Sequence, residues 1–366
     1  MSVDWGNLPP STALHHGGAV EAAARGWGCT AEEILDLSTG IHPDGPPRWL
    51  SSWLGEHADL AGRHPDPEGE PARSALARAF DVEPACLLVG AGARSFIELL
   101  PQAMGWRSLA LECPCYSQPL HCARRAGCRI LPFRRGGAIP RAEAFWLTSP
   151  HNPDGAPRPL PTAGGGVLDE SYMAWEKRCR LGIIPGVVRL GSLTKLFALP
   201  GLPAGYLVAE PQLLERIRPW LPPWGAATPL LHLVPRLLAE AEARDGVVAC
   251  ARRRLERLLT THGWRTLPSE APFLLGRPPS KRFPPFHRHR ILVRTFPEWP
   301  ELTGWVRLGL PGDEEGWVRL AAALDARADE GDPPLAERSA PAATPPRESI
   351  ITATQIRKLQ TQLTDL

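Results

Sequence analysis

The sequence predicts an α/β fold: a mostly parallel sheet sandwiched by helices, with a smaller α+β unit after it. Two observations lead there. From about residue 71 short apolar runs alternate with helical segments, the pattern of parallel strands covered on both faces. Past residue 262 the strands shorten and a single helix closes the pattern.

The elements follow in order. Residues 1–47 form an arm rich in turns, with a short helix near 19–25. A large domain over 48–230 contains a helix at 72–80, a strand at 86–89, a glycine turn and a helix at 93–103. Next come a strand at 108–112, a helix at 117–126 and strands at 129–132, 144–148, 166–169, 187–190 and 205–209. Helical patterning covers 212–217 and then 230–262, where Leu255, Leu258 and Leu259 share a face. The smaller domain, 231–328 with part of the arm, has strands near 273–275, 291–294 and 304–308 and a helix at 314–324. Residues 329–366 read as a flexible linker, with a short terminal helix whose stripe is Ile356, Leu359, Leu363 and Leu366.

A chain of 366 residues can bury a large core, and its net charge of +2 leaves no electrostatic footprint for nucleic acid. The expected partner is a small molecule. No apolar run suits a targeting h-region or a membrane span, so a cytoplasmic protein is expected. Eight cysteines without a secretory signal read as reduced thiols. Cys113, Cys115, His121, Cys122 and Cys128 crowd together but lack paired C-x-x-C spacing, so they read as small buried hydrophobes and no metal is expected. Only Lys177, Lys195, Lys281 and Lys358 are lysines; the other 37 of 41 basic residues are arginines.

Four segments fall just after predicted strands, where this architecture binds ligands. Lys195, in Ser192-Leu193-Thr194-Lys195, ends an apolar run. Partial desolvation there suits an amine nucleophile toward an aldehyde; the plain alternative is a surface lysine. Asp169 ends the apolar run 166–169, and a buried acid calls for a cation such as a protonated pyridine nitrogen. Read alone, it caps the next helix. Asn152 stands between Pro150 and Pro153 in a loop and can donate to a phenolate oxygen. Gly90-Ala91-Gly92-Ala93-Arg94-Ser95 opens a helix whose N–H groups can hold a phosphate, though lone glycine turns are common.

In this order the segments resemble fold-type I pyridoxal-phosphate (PLP) enzymes of the aminotransferase class. Within that class the chain is most similar to the threonine-phosphate decarboxylases of cobalamin synthesis, relatives of histidinol-phosphate aminotransferase. Ser192 to Lys195 with Ala198-Leu199-Pro200-Gly201-Leu202 and Gly205-Tyr206 resemble the lysine motif. His16-Gly17-Gly18, the run from Ile34 to Pro43 and Gly45-Pro46-Pro47 resemble the decarboxylase N-terminus. The resemblance implies that Lys195 carries PLP as a Schiff base and shuttles protons, and that Asp169 pairs with the ring nitrogen. It also implies that Asn152 and Tyr172 bond the ring hydroxyl and that Tyr116 stacks on the ring, where a buried core aromatic is the alternative. Gly92, Ala93 and Ser192 would hold the cofactor phosphate. Arg294 and Arg307 would grip a substrate carboxylate; the alternative for each is a solvent-facing strand end. His16, Gly17 and His42 would bind the substrate's own phosphate. A homodimer is implied as well.

The chain departs from the pattern at four places, one of them the glycine turn, where Ala91 and Arg94 stand in place of the usual asparagine and hydroxyl residue. Pro203 replaces an arginine that grips the cofactor phosphate, and Arg94 is expected to supply the missing charge. His64 stands where a tyrosine reaches in from a partner subunit. The stretch between Asn152 and Asp169 is short and proline-rich, so a family helix is expected to be trimmed there. The expected reaction is decarboxylation of L-threonine O-3-phosphate. An aminotransferase acting on histidinol phosphate or a related amino acid is the second reading, and a PLP-fold binding protein without catalysis the third.

Overall fold

The structure, a computed structural model, describes residues 16–279 and 283–326. The stripe of Ile356, Leu359, Leu363 and Leu366 and the whole segment 329–366 lie outside the described residues. The arm contributes α1 (Val20–Trp27) and β1 (Leu35–Asp36), then leads through α2 (Leu50–Glu56) to α3 (Ala72–Phe80). The large sheet is built from β2 (Leu87–Gly90), β3 (Ser108–Glu112), β4 (Arg129–Phe133), β5 (Ala144–Thr148), β6 (Gly166–Asp169), β7 (Val187–Ser192) and β8 (Gly205–Val208). Between and after them run α4 (Gly92–Ala103), α5 (Ser117–Arg125), α6 (Trp175–Cys179), α7 (Leu193–Leu196) and α8 (Pro211–Ile217).

The strand order is β2-β8-β7-β6-β5-β3-β4. Both neighbours of β8 pair with it antiparallel, and every other pair is parallel. Alternation along the strands divides the core. Leu88, Val188, Leu190 and Leu207 pack in one cluster with α4, α5 and α8. Leu87, Tyr206 and Val208 pack in another with α3 and α9 (Thr228–Leu238). β5 passes to β6 without a helix, as the proline-rich stretch implied.

The helical pattern over 230–262 resolves into α9 and α10 (Ala241–Thr261). The expected division between residues 230 and 231 falls inside α9, whose Leu230, Leu231 and Leu233 belong to the cluster beneath the large sheet. The smaller unit holds the antiparallel sheet β12-β10-β9, made of β9 (Arg265–Thr266), β10 (Phe273–Arg277) and β12 (Val306–Gly309). Leu255 and Leu259 of α10 and Trp317 and Leu320 of α11 (Glu314–Asp325) pack with its strands. β1 pairs in parallel with β11 (Ile291–Leu292), which ties the arm to this unit. Among the described residues no helix is long and apolar enough to cross a membrane. No cluster of three or more His, Cys, Asp or Glu side chains among them could hold a metal.

Candidate active site

Sheet register brings the chemistry-bearing segments to one edge. Thr148 lies opposite Asp169, Asp169 opposite Leu190, Ser192 opposite Gly205, and Gly205 opposite Gly90. The loops after β2, β5, β6 and β7 therefore converge where an open α/β sheet places its ligands.

Lys195 is half-buried in the turn of α7. Its carbonyl accepts the His42 N–H at 2.9 Å, and Thr194 Oγ1 accepts the Ala204 N–H at 3.0 Å. The lysine turn is thus pinned to the arm on one side and to the approach to β8 on the other. Asp169 is buried, and Oδ1 accepts the Ser171 N–H at 3.0 Å. Burial pushes its carboxyl above the usual range against the pull of those Ser171 bonds, so a cation placed beside it gains.

At the start of α4 no side chain caps the first turn and no acid lies in it, so its N–H groups suit an anion. Gly92 has φ +79°, and a Cβ there would stand 3.0 Å from Pro203. Pro203 therefore packs against the glycine turn. Arg94 is 66% exposed and pairs with Glu98 at 2.9 Å, one helical turn along α4. The helix's own geometry, which sets residues four apart side by side, accounts for that pair. Ser192 is buried at the end of β7. His64 packs against Trp224 with ring centroids 4.8 Å apart and planes tilted by 35°.

Asn152 and Arg307 meet directly. Nη1 of Arg307 donates to Asn152 Oδ1 at 2.6 Å and Nη2 donates to Ser38 O at 2.7 Å. A guanidinium only donates, so the amide oxygen faces Arg307 and the amide nitrogen remains to donate elsewhere. Arg307 lies over the Phe273 ring at 4.6 Å, and Phe273 meets Tyr172 edge-on at 5.0 Å. Tyr116 donates its N–H to Asn152 O at 3.1 Å, and its ring lies 5.4 Å from His16. Burial pushes the Tyr116 phenol well above its usual range. A Cβ at Gly17 would come within 2.3 Å of Ser38 O, so glycine is what lets the arm lie against the residue that holds Arg307.

Arg294 bridges to Arg307 through the backbone, and its guanidinium pairs with Glu298. His42 is placed otherwise than expected. Asp44 N–H donates to Nδ1 at 3.2 Å, so Nε2 carries the proton toward Arg244 O at 3.0 Å. Burial, with Arg244 nearby, lowers its pKa to about 4. A neutral ring with both nitrogens engaged does not grip a phosphate; His42 is a joint between the arm, the lysine turn and α10.

Several residues were not singled out from sequence. Glu170 and Arg189, both fully buried, pair bidentately at 2.9 and 3.0 Å, and Tyr206 donates to Glu170 at 2.8 Å. Arg178 donates to Ser171 O at 3.0 Å and Ser192 O at 2.9 Å, clamping the segments that carry Asp169 and Lys195. One signal was present: an arginine inside the apolar run 187–190 must find an acid once buried. Phe273 and Ser38 carried none, because their roles depend on contacts across the whole chain.

No protein-family model matches the chain. It is 30% identical over 335 residues to a threonine-phosphate decarboxylase of Pseudomonas aeruginosa, covering 85% of this chain and 97% of that one. An L-threonine-O-3-phosphate decarboxylase structure from Porphyromonas gingivalis matches with TM-score 0.67 and 21% identity, covering 79% of this chain and 98% of that one. A histidinol-phosphate aminotransferase from Sinorhizobium meliloti, solved with pyridoxal-5'-phosphate, matches with TM-score 0.71 and 21% identity over 88% of this chain and 97% of that one. The structures share the fold, and the sequence relative, matched along nearly its whole length, carries the assignment: the chain is an enzyme and belongs to the threonine-phosphate decarboxylase family.

Proposed function

We propose that this enzyme removes the carboxylate of L-threonine O-3-phosphate as carbon dioxide, using PLP bound at Lys195, and releases (R)-1-aminopropan-2-yl phosphate for cobalamin synthesis. The observation that carries the reading is a pair of arginines, the buried Arg307 and the half-buried Arg294, set opposite each other in a two-residue backbone bridge. Two guanidiniums in one dry place suit a substrate with two anionic groups. Histidinol phosphate brings only one.

The site fits the cofactor. A buried carboxylate that gains from a cation, an uncapped helix start for a phosphate and a lysine between them match the three ends of a pyridoxal phosphate. Bound there, PLP supplies an electron-withdrawing ring that takes up the electron pair left when a bond to Cα breaks.

The chain's residues decide which bond that is. Arg307, held by Asn152 and Ser38, fixes where a carboxylate lies. By holding that carboxylate, Arg307 would orient the Cα–carboxylate bond for cleavage, an effect that changes rates by large factors. With the cofactor bound, Asp169 would keep a proton on the ring nitrogen, Tyr172 and the Asn152 amide nitrogen would donate to the ring oxygen, and Tyr116 would cover the ring and exclude water. Lys195 Nζ then delivers the proton that replaces the departed carboxylate at Cα. Arg178 holds the carbonyls flanking Asp169 and Lys195 and so keeps acid and amine in register.

Product analysis with L-threonine O-3-phosphate and PLP tests the reading. Carbon dioxide and an amino alcohol phosphate in equal amounts support it; a keto product assigns an aminotransferase instead. Borohydride should fix a pyridoxyl group on Lys195 and none on Lys195→Ala. A cytoplasmic homodimer belongs to the same proposal; its dimeric part is supported by Trp220 and Trp224, which stand 46% and 56% exposed, the latter against His64. Light scattering that reports a monomer would remove that part.

A further inference from the structure

Glu298 takes no part in the chemistry above, yet its side chain is only 2% exposed. It lies between β11 and β12 in a stretch anchored by Trp299, whose Nε1–H donates to Cys115 O at 3.1 Å, one residue before Tyr116. One carboxylate oxygen pairs with Arg294, while the other, Oε2, is buried and accepts no hydrogen bond.

Across from Arg294 stands Arg307, joined to it by backbone bonds of 3.1 and 2.9 Å. Residues directly opposite in an antiparallel bridge send their side chains to the same face. Burial lowers both guanidiniums, Arg294 to about 10, and each repels the other's charge in that dry setting. The Glu298 carboxylate offsets this for both. It is an incomplete partner, because a buried oxygen without a donor is unfavourable. Nη1 of Arg294 already donates to Thr295 O, so Nη2, which holds Glu298, is the donor that an anion with more acceptor oxygens takes over.

We propose that Glu298 determines the anion specificity of the site, as a built-in counter-ion held on Arg294 and exchanged there for the phosphate-class group of a doubly anionic substrate. The substrate carboxylate goes to Arg307 and Asn152, so an amino acid with a carboxylate alone leaves Glu298 in place. Once the carboxylate has gone, Glu298 returns to Arg294 and aids release of the phosphorylated product. This rests on the decarboxylase reading and names the residue that makes the site discriminate.

The test compares PLP-loaded wild type with Glu298→Gln, using inorganic phosphate and acetate as probes in thermal-shift titrations, without turnover. Removing the counter-ion should tighten phosphate binding about tenfold and leave acetate unchanged. The same variant should lower KM for O-phospho-L-threonine. A purely structural glutamate would shift both probes alike or neither, and either result overturns the proposal. Should Glu298→Gln fail to fold, the double variant Glu298→Gln/Arg294→Gln, which removes both charges, gives the reading. It must bind phosphate no better than acetate, and retained phosphate preference overturns the proposal. Failure of wild type to release carbon dioxide would sink the decarboxylase reading alone, since these binding constants need no turnover.

Discussion

Asp169 and His42 are both buried and ionisable, and burial moves them in opposite directions. The Asp169 carboxyl holds its proton to a higher pH folded than unfolded, so the cofactor-free protein loses stability as pH rises through the interval above 3.8. A ring cation reverses this. Asp169→Asn should therefore melt at or above wild type near neutral pH without cofactor, and PLP should raise the melting temperature of wild type only. A variant that melts lower without cofactor would show the carboxylate to be structural. For His42 the folded pKa of about 4 lies below the unfolded 6.5, so its contribution is full above 6.5 and is lost as pH falls toward 4. His42→Gln should flatten melting temperature against pH over that window.

At the scale of elements, β6 and β7 are held by the Glu170–Arg189 pair and by Arg178. Breaking one side of a buried pair costs about 3–5 kcal/mol, whereas replacing both by apolar residues is close to neutral. Arg189→Met should lower unfolding free energy in urea by that amount, and Arg189→Met/Glu170→Leu should recover most of it. Equal losses in both variants would count against the pair as the cause. Most strands of the large sheet were legible because a buried strand covered on both faces is a near-continuous apolar run. The gap between α9 and α10 was not. Glu240 sits there, accepting Trp49 Nε1–H at 2.5 Å from 191 residues away in sequence, and no local periodicity records such a contact. Short α2 and α6 were missed because five to seven residues give too little periodicity to see.

For the whole molecule, the arm is one of the parts that join the two units. β1 pairs with β11, Ser38 O holds Arg307, and His42 reaches the lysine turn and α10. Gly309 sits at this seam, where a Cβ would come within 2.6 Å of Thr39 O. Gly309→Val should push the arm away and loosen Arg307 while leaving the cofactor cup intact. Substrate KM should rise about tenfold or more, since small misplacements are costly in such sites, with PLP affinity unchanged. Equal loss of both would show that the arm supports the cup as well.

The sequence by itself determined the fold class, the strands and the amine, acid, amide and glycine turn that converge on one sheet edge, because those properties are written in local apolar runs and breakers. Tertiary structure alone decided which charges answer each other. Glu170 met Arg189, Arg307 met Asn152 and Ser38, and His42 became a neutral joint. A charge's role depends on the nearest countercharge in a dry surrounding, and that distance is set by folding, not by spacing along the chain.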